Sequence, residues 1–241
     1  GPHGVIKDGT GTLILSGPNE YRGGTQITEG TLIVRSPDAL GEGDVEIGAN
    51  GTLAYEDGIG NTIVTDNGTL YRYGWAAQDG AITGKTATSG LTITGDGVLY
   101  LSGKASYRGQ TNLQGGLLIA EQENVLSEHS LHEIAASGTL QLNKAQTIGG
   151  LSGAGSVNLR SHRLTIDQAQ DAAFSGHLLG DSDAYLVKKG AGRLALGGDS
   201  LTFQGGLDAV DGITEVNGRY DYMSVVVGGT GTLRGNGQVG Y

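Results

Sequence analysis

Short apolar runs alternate with polar and small residues along almost the whole chain. In Gly11-Thr12-Leu13-Ile14-Leu15-Ser16-Gly17, Leu13 and Leu15 share one parity and glycine closes both ends. Period-two alternation sends successive side chains to opposite faces of an extended strand, and glycine between such runs marks tight turns. Asn50-Gly51, Asn67-Gly68, Asn217-Gly218 and Asn236-Gly237 are further turn signals, because both residue types tolerate φ > 0. Glu121 to Ile134 is the only helix-like stretch, and it is short. The pattern predicts an all-β protein built from many short strands.

The pattern also repeats. Gly9 to Ile33 aligns without gaps to Gly95 to Ile119, with 13 of 25 positions identical. A third copy starts at Lys188-Lys189-Gly190-Ala191-Gly192-Arg193-Leu194. There, after a one-residue insertion, Phe203 stands where Tyr21 stood, followed by Gly205-Gly206 and Gly212. One strand–turn–strand unit cannot bury its apolar face alone, whereas stacked units bury a continuous interior. At roughly 20–25 residues per coil the chain would make about ten coils. Leu13, Leu15, Leu99, Leu101, Leu194 and Leu196 hold one register in the three copies and are expected to face one shared interior. Two β-sandwich domains are the competing architecture, but they call for a larger aromatic core than 2 Phe and 1 Trp supply.

The same residues carry a family resemblance. The run from Lys7-Asp8-Gly9-Thr10-Gly11 through Tyr21-Arg22-Gly23-Gly24-Thr25 to Glu29-Gly30-Thr31-Leu32 resembles the passenger-associated strand repeat of type V (autotransporter) proteins. Ser36-Pro37-Asp38-Ala39-Leu40-Gly41 and Ile148-Gly149-Gly150-Leu151-Ser152-Gly153-Ala154-Gly155 are similar to segments that accompany it. The second copy departs at Lys104-Ala105-Ser106, and the third lacks the usual Tyr and Thr. The resemblance implies a right-handed parallel β-helix, a single-stranded solenoid, exported across an outer membrane to the bacterial surface. It divides the chain into passenger coils over 5–187 and C-terminal, autochaperone-like coils over 188–241. It further implies a translocator barrel as a partner in the full-length protein. Gly1 to Gly4 read as a scar of tag cleavage.

Composition fits this reading. There are 46 Gly and 3 Pro without a three-residue period, which is neither collagen nor an ordinary linker. The net charge of −10 disfavours nucleic acid and an anionic membrane surface as partners. No apolar run is long enough to span a bilayer, so direct membrane insertion of this segment is not expected. The absence of cysteine suits a chain that crosses a pore unfolded.

Candidate chemistry is sparse. Gly150-Leu151-Ser152-Gly153-Ala154 misses a nucleophile elbow by one residue. Gly235-Asn236-Gly237-Gln238-Val239-Gly240 matches a dinucleotide fingerprint, but outside any strand–helix unit. His129 and His132 would share a helical face for zinc, without a third ligand. Asp181-Ser182-Asp183 reads as a polar turn rather than a calcium loop. Neither cofactor nor metal is expected. Tyr71-Arg72-Tyr73-Gly74-Trp75 gathers three of the few aromatics with an arginine. Tyr71, Arg72, Tyr73 and Trp75 are therefore the candidate surface-contact residues, or else they cap an insertion against the rod. Asn217-Gly218-Arg219 resembles a short cell-binding tripeptide, though Asn-Gly turns are common.

Three functions follow. The first is a non-catalytic adhesive passenger, joining a host surface or matrix component or associating weakly with copies of itself. The second is a stalk and folding segment for an upstream catalytic domain such as a subtilisin-like protease or an esterase. The third is a polysaccharide-degrading β-helix, which the scattered carboxylates disfavour.

Overall fold

Every regular element in the computed structural model is a β-strand and every strand pairing is parallel; the structure describes residues 1–240. The strands stack coil upon coil into a β-solenoid of about 12 turns. Register partners lie between 17 residues apart (Leu53 and Leu70) and 23 (Leu70 and Ile93). Coils this tight explain why there are more of them than the sequence suggests.

Three large sheets and a two-stranded one, Arg219–Tyr220 with Gln238–Val239, wrap one interior. A 15-stranded sheet runs the length of the stack, flanked by a six-stranded and a five-stranded sheet. The core is a set of vertical ladders in which one side chain per coil sits on its counterpart below. One ladder passes through Leu13, Leu32, Leu53, Leu70, Ile93, Leu113, Ile134, Gly153, Phe174, Leu196 and Val216. The missing side chain at Gly153 sits directly against Phe174, the largest member. Ala76, Leu99, Leu118, Leu140, Val157 and Leu178 form a second ladder behind the six-stranded sheet. Leu99, Leu101, Leu194 and Leu196 are buried, and Leu13 and Leu15 pack against the same core while partly buried. The shared interior is thus as expected, and a pair of sandwiches is not what forms.

The helix-like stretch is corrected. Residues 121–130 form turns and loops, and Leu131–Ile134 is a strand. His132 and Ile134 alternate inward with Leu131 and Glu133 outward, so the governing period there is two.

Each repeat copy is locked by a cation seated on turn carbonyls. In the first, Lys7 Nζ donates to the carbonyls of Asp8 (3.2 Å), Gly9 (2.5 Å) and Glu29 (2.9 Å). In the third, Lys188 Nζ donates to those of Lys189 (2.6 Å), Gly190 (2.7 Å) and Asp211 (3.2 Å). Asp211 is the aligned counterpart of Glu29. The turn needs glycine where the chain closes over the cation: Gly30, Gly116 and Gly212 have φ of 74°, 70° and 66°. A Cβ at Gly30 would also collide with Lys7 Nζ and with the Gly9 carbonyl.

Candidate functional site

The second repeat copy has Ile93 where the others have lysine, and Arg72 from the preceding coil takes over. The alternation of Thr69–Arg72 sends Leu70 and Arg72 inward and Thr69 and Tyr71 outward. Arg72 is fully buried, and its Nη2 donates to the carbonyls of Gly115 (2.8 Å) and Gly97 (3.5 Å). Gly115 is the counterpart of Glu29 and Asp211, so the guanidinium fills the seat that lysine fills elsewhere. Burial lowers the Arg72 pKa, while Tyr55 and Asp96 nearby favour its charge. Arg72 is therefore no surface-contact residue. Its chemistry is spent inside the rod, and the expectation that it anchors a partner is corrected.

The three aromatics do lie outside. Gly74, with φ of 56°, turns the chain sharply from the strand Thr69–Arg72 into Trp75–Gln78. Across this corner Tyr71 and Tyr73 meet with ring centroids 4.8 Å apart and planes tilted by 54°. Tyr73 is 39% exposed and Trp75 72% exposed. The indole of Trp75 has one aromatic neighbour, Tyr100 of the next coil, at 6.1 Å. Val98, not Tyr100, is the in-register partner of Trp75, so the two rings meet diagonally across the outer surface. Tyr100 lies outside the Tyr71–Trp75 cluster in sequence. The signal for it is parity: Val98 and Tyr100 take the alternate positions to the core residues Leu99 and Leu101.

The remaining candidates are dispersed. His129 lies at the surface 3.6 Å from Glu128, whereas His132 is buried with Nδ1 3.0 Å from the Ser130 carbonyl. The two imidazoles do not share a face. Burial drives the His132 pKa down to about 4, and its Nε2 has no partner. Asp181 accepts hydrogen bonds from Ser161 Oγ (2.6 Å) and the Asp183 amide (3.0 Å), the bonding of a polar turn. Among the described residues no three His, Cys, Asp or Glu side chains converge as metal ligands.

The comparisons with known proteins agree with this architecture. The passenger-associated-transport-repeat family model matches residues 5–34, 91–120 and 186–217, the three repeat copies. A protein named Adhesin BmaC autotransporter, from Brucella suis biovar 1 (strain 1330), is 30% identical over 197 residues. The chain is an autotransporter passenger repeat region. As such, the passenger is exported across the outer membrane and exposed at the cell surface. The match covers 73% of this passenger and 6% of the Brucella protein. No solved structure matches the passenger. Within the matched repeats the structure explains one departure from pattern. Tyr21 OH and Tyr107 OH bond Thr25 Oγ1 (2.6 Å) and Thr111 Oγ1 (2.7 Å). In the third copy Phe203 and Leu207 hold those places, both buried, so hydroxyl and partner are lost together and no polar group is orphaned.

Proposed function

We propose that this passenger is a non-catalytic adhesive rod, with the aromatic corner at Tyr71, Tyr73 and Trp75 as its contact surface. The observation that carries the reading is the exposure of Trp75 and Tyr73 on a scaffold whose neighbouring coils are bonded strand to strand. Large aromatic side chains left in water on a rigid support are the residue types that anchor interfaces. The relative bearing the word adhesin in its name supports the same reading. Self-association is the weaker companion of adhesion: single polar contacts between rods contribute about 0–1 kcal/mol, and many copies on neighbouring cells supply the rest by multivalency. The coils over 188–241 act as a folding-promoting segment, with the buried side chains of the third repeat as their nucleus.

The test is retention of beads coated with the purified passenger on layers of host cells or on matrix. Beads should be retained, and the variant Tyr73→Ser/Trp75→Ser should return retention to that of bare beads. Equal retention of variant and wild type would remove the corner from the account. Turnover of an ester or polysaccharide, abolished by a single point mutation, would overturn the non-catalytic reading. Clumping of coated beads should rise with coating density and fade after charge reversals along one flank.

A further inference from the structure

The corner opens onto a surface that differs from the rest of the molecule. The six-stranded sheet is made of Trp75–Gln78, Val98–Leu101, Gly116–Ala120, Gly138–Leu142, Ser156–Asn158 and His177–Leu179. None of these strands contains Asp, Glu, Lys or Arg, in a chain of which 17% is charged. The other sheets do carry charge, the two-stranded one at Arg219. The long one bears Glu46, Glu133, Arg193, Glu215 and Arg234, and the five-stranded one Arg163, Asp167, Lys189 and Asp208. Inward positions of any strand are apolar for reasons of packing, but outward ones are free to be charged. Here the outward positions include Trp75, Val98, Tyr100 and Leu117 on the first three strands, and then Gln141, Asn158 and the exposed His177.

We propose that this outer face binds a neutral oligosaccharide lying along the stacking axis, with Trp75 and Tyr100 as stacking platforms and the amides of Gln141 and Asn158 as hydrogen-bonding groups. The inference rests on the adhesive reading above and names its ligand class. Strands without Asp, Glu, Lys or Arg favour a neutral partner over an ionic one. Arg160 is the charge beside the two amides: its backbone N–H donates to Asn158 Oδ1 (3.0 Å) and its Nη1 to Asn143 Oδ1 (3.3 Å). Gln141 Nε2 also reaches that Asn143 oxygen (3.3 Å), so each amide keeps its other polar atom for a ligand. The apolar patch is too small for a stable protein partner. Three rungs span roughly 10 Å and two outward positions roughly 7 Å, on the order of 100 Å², against about 800 Å² per side in a standard protein interface. A narrow strip of ring faces continuing into amides suits a chain of sugars. The apolar C–H faces of pyranose rings stack on aromatic rings, while their hydroxyls need neutral donors and acceptors of the kind Gln and Asn provide. Rungs repeat every ~4.8 Å, close to the length of one hexose in an extended glycan, so successive rungs meet successive sugars.

Trp75 is the single tryptophan of the chain, and its emission therefore reports directly on this face. The purified passenger is titrated with cellohexaose, laminarihexaose, N-acetylchitohexaose and a neutral galactan hexasaccharide, with a heparin hexasaccharide as the charged comparator. A saturable blue shift with at least one neutral sugar, insensitive to salt, is expected. Tyr100→Ala should weaken it about tenfold. Gln141→Ala, at a half-buried outward position that leaves the core intact, should weaken it while preserving the circular dichroism of the wild type. The proposal is overturned by a flat emission with all four neutral sugars, or by a shift unchanged in both variants. It is equally overturned by a shift seen only with heparin and lost in salt, or by one produced by raising the protein concentration alone. Retention of coated beads together with flat emission would leave the adhesive reading standing while sinking the glycan. A sugar-dependent shift without bead retention would do the reverse.

Discussion

At the scale of single residues, the buried polar side chains are only partly paired: Arg72 uses Nη2 while its Nε and Nη1 have no partner, and His132 Nε2 has none either. Arg72 satisfies turn carbonyls that Lys7 and Lys188 satisfy in the other copies. Replacing it by Met leaves the Gly115 carbonyl without its donor, while the Gly97 carbonyl keeps the Leu117 N–H, and should cost about 2 kcal/mol, in the range of hydrogen bonds to charged groups. Urea unfolding monitored by circular dichroism measures it. Lys in the same place should recover part of the loss. His132 makes the opposite kind of statement. Its folded pKa of about 4 lies below its ordinary value of 6.5 because the buried imidazole resists charge. The unfolded chain therefore takes up the proton first as the pH falls. The stabilisation from a neutral His132 is complete above about pH 6.5 and declines toward pH 4, by on the order of 3 kcal/mol in all. In His132→Leu the unfolding midpoint should fall less between pH 7 and pH 4.5 than in the wild type. Parallel pH profiles would contradict this.

At the scale of the element, the strands are short and none is stable alone; each is held by the coil above and below. The ladders make that dependence measurable. Leu140 sits between Leu118 and Val157 in the second ladder, and Leu140→Ala should cost about 3 kcal/mol by cavity formation. An outward, half-buried neighbour such as Thr139→Ala should cost less than about 1 kcal/mol. Comparable losses at both positions would mean that inward and outward are misassigned. Much of this level was legible in the sequence, because glycine spacing and period-two alternation are local signals. Leu99 and Leu101 declare their side by parity alone. Arg72 shares the parity of Leu70, so its inward direction was also legible, but the chemical character of the residue outweighed that signal. The cation seats were not legible: Glu29, Gly115 and Asp211 contribute backbone carbonyls, which any side chain can carry. The uncharged face was hidden for another reason. Its six strands are scattered from Trp75 to Leu179, and only the register between coils brings them side by side.

At the scale of the whole molecule, the passenger is a rod with three faces of different chemistry. Two are charged, and they keep a strand-rich surface of net charge −10 soluble. The third is built on strands without Asp, Glu, Lys or Arg, begins at an exposed tryptophan and continues through a second aromatic into amides. Adhesion through that face and indifference of the other two is the central claim. It is tested most directly by displaying the passenger on a non-adherent bacterium with one altered face at a time and counting cells retained on a host-cell layer. Trp75→Ser/Tyr100→Ser alters that third face, Glu133→Lys/Arg234→Glu the long sheet, and Arg163→Glu/Lys189→Glu the five-stranded sheet. Retention should fall to background for the first pair and stay at the wild-type level for the other two. Undiminished retention of the Trp75→Ser/Tyr100→Ser cells, or loss confined to a charged-face variant, would contradict the account.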